Sequence, residues 1–478
     1  MPALFALSVI GVLCCVGMVL RRWIPFLRNN LVPATVIAGF VGTIAMNAGL
    51  PRLLEGVDAE LLAGITTQLF TLAFISIGLT QTPRAGGPRG ARGSGLLRGS
   101  WSMGLTWTLL FSLQALLGFL VVFLVGGRFD MDPMYGLLAA FAFAQGPGQA
   151  ATFGAIFEQQ GWEGAVPVAL AFAAVGFAAS FLVGVPLAKW GMRLGLGKHS
   201  VPLSDSVRRG YYPREEQREA MGRVTTFPGN FETLGFHFAL MGIAYLGAHG
   251  ISWCFAFLPG FLGTTMSGLM FFNGLLAALV VRWVLNRVGL GHLLDSQLQA
   301  KITGFTSDYL VVASFMAVQL AVVAAWLVPI LLACAVLILA TLVICYLIGQ
   351  RYGSDHDFER TMGLYGTATG TTPTGLTLVR IIDPRLRTAT MAEMGLMNLP
   401  EMLYIPAMLT IAAGFAGTLA AWPVAGILAA LTLAYFVLML VTRSIGRRTF
   451  SFSRRRNGRR RGRGGEAERL EGELNQSP

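Results

Sequence analysis

The residue types able to do chemistry gather at three places in this chain. Ala142–Gly154 reads Ala-Phe-Ala-Gln-Gly-Pro-Gly-Gln-Ala-Ala-Thr-Phe-Gly, and Tyr365–Leu376 reads Tyr-Gly-Thr-Ala-Thr-Gly-Thr-Thr-Pro-Thr-Gly-Leu. Both interrupt apolar sequence with Gly, Pro and small polar side chains, so both are expected to break a helix in hydrophobic surroundings. At such a break, first-turn N–H groups carry the positive end of the helix dipole and suit an anion, while carbonyls and hydroxyls can replace a cation's water. Gln145, Gly146, Gly148, Gln149 and Thr152 in the first stretch are therefore candidate substrate-binding residues, with Gly366, Thr367, Gly370, Thr371, Thr372 and Thr374 in the second. Thr369 and Thr372 are candidate ligands for a coupling cation. The third place, Met391–Met402, carries Glu393 and Glu401 with Asn398 and Pro400 between them. On an unbroken helix these carboxylates fall within about 80° of one another, and ionisable groups inside apolar spans are functional candidates by default. Glu401 joins the threonines as a candidate sodium or proton site.

Each reading has a plainer competitor. Gly366 and Gly370 also form a small-xxx-small pattern that suits a tight helix crossing. Glu393 reads equally well as a solvated end residue, Arg380 as a side chain reaching the membrane surface, and Gln114, Gln145 and Gln149 as interhelical hydrogen-bonding groups. The five histidines are scattered, the five cysteines form no Cys-x-x-Cys pair, and no phosphate-loop, nucleophile-elbow or zinc-hydrolase signature occurs. An enzyme is not expected, nor any cofactor besides sodium as the coupling ion.

The elements that must position these residues are membrane spans. Of 478 residues, 54% are hydrophobic and only 13% charged, against roughly a quarter charged in soluble domains. Apolar runs at Leu4–Leu20, Leu31–Leu50, Leu61–Thr80, Ser102–Val125 and Ala165–Leu187 form a first set. Phe236–His249, Leu262–Val281, Ser307–Trp326, Val328–Ile348 and Thr388–Ala413 form a second, and Ala420–Val441 stands alone. The expected fold is an all-α polytopic membrane protein of about 11 transmembrane helices. The sixth run, interrupted by Gly247 and Gly250, is expected to be short.

Two five-helix repeats are expected, spanning 1–189 with a broken segment at about 135–157, and 234–413 with one at about 362–382. A basic linker (190–233) joins them; an extra helix (414–441) and a basic tail (442–478) follow. If both broken segments are re-entrant hairpins, every Lys and Arg except Arg52 and Arg128 falls on one side. Basic loops mark the cytoplasm, which puts the N-terminus outside, the C-terminus inside and the repeats in inverted orientation. The net charge of +12 then reflects cytoplasmic loops and a tail drawn to anionic lipid, not a nucleic-acid partner. The loop Gln81–Gly99 is expected to be flexible.

The chain resembles the bacterial sodium/glutamate symporters. Val32–Gly39 is similar to the Pro-containing motif of the family's second span, and Phe70–Leu79 to its third-span element. Leu137–Phe153, Phe157–Gln160 and Val168–Pro186 resemble the first hairpin and the following span. Gly366–Gly375, with Thr-Pro-Thr at 372–374, resembles the second hairpin. The resemblance implies a homodimeric secondary transporter of inverted repeats in the bacterial cytoplasmic membrane, moving in an elevator-like way and coupling sodium entry to uptake of glutamate or a similar small carboxylate. Gln145-Gly146-Pro147-Gly148-Gln149 departs from the family's Gly-Gly-His-Gly-Thr, and Tyr404 stands near the place of a usual aspartate. A proton-coupled carrier of another organic anion on the same fold, or a non-transporting membrane scaffold, are the alternatives.

Overall fold

A computed structural model describes residues 2–49, 56–80, 91–199, 210, 221–384 and 387–452. Every regular element among them is helical. In chain order the main helices are α1 (Pro2–Trp23), α2 (Ala34–Asn47), α3 (Ala59–Leu79), α4 (Ala91–Val125), α5 (Leu138–Phe143), α6 (Pro147–Glu158), α7 (Ala165–Leu182), α8 (Gly184–Arg193) and α9 (Thr233–Phe255). There follow α10 (Met270–Arg287), α11 (Ser296–Met316), α12 (Leu327–Gly349), α13 (Asp357–Ala368), α14 (Thr372–Ile382), α15 (Thr390–Leu396), α16 (Asn398–Glu401), α17 (Ile405–Phe415) and α18 (Ala421–Val441). Among the described residues nine helical stretches are long and apolar enough to cross a bilayer. The protein is a multi-pass membrane protein.

The helices sort into two bundles. α1, α2, α3, α9, α10 and α11 pack on one another, so the first three long helices of each half of the chain meet in one body. The other body is built on α4, against which α5, α12, α15, α16 and α18 lie, with α6, α7, α13 and α14 completing it. α9 shows why such helices need lipid. Its buried residues are Thr233, His237, Leu240, Met241, Ala244 and Ala248, a single stripe, while Leu246 and Trp253 on other faces are 73% and 66% exposed. An apolar helix buried on one side only requires an apolar solvent on the other.

Several expectations are corrected. α9 runs unbroken through Gly247 and Gly250, since an interruption facing lipid would leave backbone groups without partners; Gly247 is used for close approach to Ala277. The run Ser307–Trp326 splits, because α11 starts early at Ser296 and ends at Met316, with a short helix at Leu320–Ala324 after it. The part of the Gly- and Arg-rich loop from Ala91 to Gly99 is the first turns of α4. Residues 81–90, most of the basic linker, and the Arg-rich tail from 453 onward lie outside the described residues.

The span holding both glutamates is not a continuous helix but α15, α16, a single 3-10 turn and α17. Glu393 is neither a solvated end residue nor a partner of Glu401. It is 1% exposed and bonded twice by the Arg360 guanidinium, through Nε at 2.7 Å and through Nη2. Arg360 also donates to Asp357 at 3.0 Å, and Asp357 accepts in turn from Gly353 N, Ser354 N and Thr449 Oγ1. Gly99 is required here, because a side chain would strike Glu393 and Arg360. The cluster pins the foot of α13 to α15, with the start of α4 packed closely against the pair at Gly99.

His356 Nε2 lies 3.5 Å from Glu393 Oε2, and its Nδ1 faces Ser354 and Asp355. Burial, with the nearby Arg360 charge, opposes protonation of the ring, but the carboxylates of Glu393 and Asp355 outweigh them and hold its pKa above the ordinary value. The stability from this contact is therefore complete below about pH 6.5 and is lost as pH rises through the raised value. In detergent, the unfolding midpoint is expected to fall across that window in the parent and to fall less in His356→Gln; equal slopes would remove the interaction. Glu393→Ala leaves the buried Arg360 guanidinium with Asp357 as its one remaining carboxylate and is expected to lower stability by about 3 kcal/mol, read by chemical denaturation.

Candidate functional site

Both broken stretches form antiparallel helix pairs. In the first, α5 ends at Phe143, Gly146 caps α6 with φ of 82°, and Pro147 opens the new helix. The left-handed backbone suits glycine and the proline suits a first helical turn. Phe141 of α5 stacks on Phe153 of α6 at 3.9 Å between centroids. In the second, α13 ends at Ala368 and the extended Thr371 caps α14. Gly366 lies against Gly375, and Gly363 against Val379, across that pair.

The two breaks meet. A Cβ on Gly146 would stand 2.5 Å from Thr371 Cγ2 and 2.7 Å from the Gly370 carbonyl oxygen. The N-terminal ends of α6 and α14 thus converge, and the first-turn N–H groups of a helix have no partner within it. Two positive dipole ends at one point suit an anion better than one does.

Freed carbonyls are satisfied from α4. Trp107 Nε1 donates to Ala144 O at 3.1 Å, and Gln114 Nε2 donates to Ala368 O and Thr341 Oγ1, both at 2.9 Å. Trp107 and Gln114 are seven residues apart, two turns along one face. Gln114 is therefore the interhelical group its surroundings suggested. Between them the Thr108 hydroxyl donates to Gly104 O within α4 at 3.0 Å and lies 3.4 Å from Pro400 O. From α7, Ser180 Oγ sits 2.7 Å from Thr369 Oγ1, and Gly176 lets that helix approach Thr369 O.

The remaining candidates fall into groups. Thr152, Thr367, Thr369 and Thr374 are buried and donate to carbonyls of Gly148, Gly363, Tyr365 and Gly366. Each donation leaves hydroxyl lone pairs available. Thr374 Oγ1 uses one to accept from Thr371 N at 2.9 Å. Gly148 faces the Phe70 ring of α3 and Gly366 faces Gly375, so both are close-packing positions. Thr372 is half-buried in the first turn of α14. Arg380 is exposed at the end of α14.

Gln145, Gln149 and Glu401 come together around a residue that the sequence reading used only as a landmark. Gln145, Gln149 and Glu401 are all near enough to Tyr404 to act electrostatically on its hydroxyl. Gln145 Oε1, Gln149 Oε1 and Glu401 Oε1 are buried without a hydrogen-bond partner among the described residues. Unmatched buried acceptors of this kind are uncommon and need a proton, a cation or a donor ligand. Trp107 and Ser180 were missed. Ser180 alone breaks the apolar run Ala165–Leu182, which is a readable signal, whereas nothing local distinguishes Trp107.

Removing the donors tests this architecture. Trp107→Phe and Gln114→Leu each strand a buried carbonyl and are expected to cost about 1–3 kcal/mol, measured as a lowered unfolding midpoint. Unchanged midpoints in both would show that the breaks do not depend on α4.

Comparison with curated proteins finds no match. The family model described as the sodium/glutamate symporter matches residues 1–387, taking in both broken helix pairs and stopping short of Glu401 and Tyr404. With this match over most of its length, the chain belongs to the sodium/glutamate symporter family and is a membrane transporter.

Proposed function

We propose that the protein is a sodium-coupled symporter that imports glutamate or a similar small carboxylate. The observation that carries this reading is the meeting of Gly146 with Gly370 and Thr371, which brings two helix N-termini to one point. The carboxylate binds at the first-turn N–H groups of α6 and α14, with Gln145, Gln149, Thr371 and Thr372 around it. The lone pairs of Thr369 and Thr372, nearby main-chain carbonyls and Glu401 serve the coupling ion. The two broken pairs act as re-entrant hairpins of inverted repeats in an eleven-span chain. The common packing of the first three long helices of each half supports that arrangement. The N-terminus lies outside, the C-terminus in the bacterial cytoplasm, and the working unit is a homodimer.

One observation favours a second reading, in which the coupling ion is a proton. Glu401 Oε1 is enclosed without a hydrogen-bond partner among the described residues, in a side chain that is half-buried overall, and an enclosed carboxyl oxygen of this kind can take up a proton. Labelled glutamate uptake into proteoliposomes separates the two. A sodium gradient at equal pH is expected to drive accumulation, and a pH gradient alone is expected to fail; the opposite result replaces sodium with the proton. In either case Glu401→Gln is expected to reduce gradient-driven accumulation at least about tenfold while leaving insertion intact. Full uptake in that variant would remove Glu401 from coupling.

A further inference from the structure

A second polar cavity lies at the foot of the α13–α14 pair and takes no part in the reading above. About 800 Å³ opens between the first turns of α4, the loop Tyr352–His356 and the segment Arg387–Glu393, with Lys198 on its wall. That is within the range of small-molecule sites. Its carboxylates are already matched: Asp355 pairs with Lys198, and Glu393 with Arg360. Asp357 and Glu359 accept from the main-chain N–H groups of Gly353, Ser354 and Lys198. Two guanidinium groups of the lining are left over. Arg98 is exposed and donates only to the Arg443 carbonyl, at 3.1 Å, and Arg387 is exposed on the segment ahead of α15. Among the described residues neither has a carboxylate partner. Guanidinium forks pair with carboxylate and phosphate oxygens in preference to simple halides.

We propose that this cavity is a second anion site, taking a small oxyanion with carboxylate or phosphate groups between Arg98 and Arg387. Such a ligand bridges the start of α4 to the segment ahead of α15, beside the Arg360–Glu393 pair that joins α13 to α15 in the same lining. The oxyanion can be a free solute or the headgroup of an anionic lipid. A free ligand would make the site a sensor of solutes on the basic side of the membrane. The inference does not rest on which solute the helix breaks carry.

The test is thermal unfolding of the purified full chain at about pH 6, where the His356 ring is charged. Inorganic phosphate and succinate are compared with chloride at equal ionic strength, and nanodiscs of phosphatidylglycerol with those of phosphatidylcholine. At least one oxyanion arm is expected to raise the midpoint above its control. A response to phosphate or succinate identifies a free ligand; a response to phosphatidylglycerol alone identifies a headgroup. The rise is expected to vanish in Arg98→Gln/Arg387→Gln, to need about tenfold more ligand in the lysine pair, which keeps charge without the fork, and to persist in Thr372→Ala. No response in any arm, a full response in the glutamine pair, or a response lost in Thr372→Ala would overturn the site. Because the readout is unfolding, failed glutamate uptake would leave it standing.

Discussion

The structure depends on satisfying main-chain carbonyls where helices stop inside an apolar body. A helix interior meets this need by itself, but a break at Ala144 or Ala368 does not, and bilayer hydrocarbon offers no water to replace the missing bonds. Here the donors come from α4, with Trp107 and Gln114 two turns apart on one face. The sequence can place glycine and proline at the breaks because another helix holds the missing partners. Glycine at 146 then lets the two breaks touch, while glycine at 370 makes room for Thr374 and Ser180. Any larger side chain at 146 would separate the helix ends that make the point electropositive.

The charged cluster beneath solves a different problem beside the same helix. Arg360 is matched by Glu393 and Asp357, and Asp357 is held by loop N–H groups and by Thr449 from the segment after α18. Phe450 and Phe452 of that segment pack against Phe358 at the foot of α13. A buried ion pair adds little net stability over apolar packing, but it fixes position. The foot of α13 is thereby held to α15 and to the segment after α18, while the opposite end of the pair is left to meet α6.

The sequence disclosed whatever is locally encoded. Gly-Pro-Gly and Thr-Pro-Thr mark helix breaks wherever they fall, and long apolar runs mark spans, so both broken pairs and most long helices were legible. Glu401 was legible as an ionisable group in an apolar run. What could not be read were pairings across hundreds of residues: Gln114 with Ala368, Ser180 with Thr369, Trp162 with Phe415. The reading of Glu393 failed for the same reason, since its neutraliser, Arg360, sits on another helix. Gly247 and Gly250 misled in the other direction. In water they would weaken a helix, but facing lipid a helix has no better alternative conformation.

The surface between the two bundles shares its aromatic character with the interior of the α4 bundle, where Phe111, Phe141, Phe153 and Phe157 also meet. Around α6 it is made of aromatic rings: Phe70 covers Gly148 and clusters with Phe74 and Phe271, at centroid separations of 4.8 to 5.0 Å. The bonds that hold the breaks open all run within the α4 bundle. A slip along the ring-lined surface therefore exchanges one set of non-directional dispersion contacts for another and leaves every directional bond of the broken helices intact. The bonds that keep the shape of the converged helix ends thus lie on one side of this surface, and the ring contacts at α6 are dispersion contacts with no preferred direction.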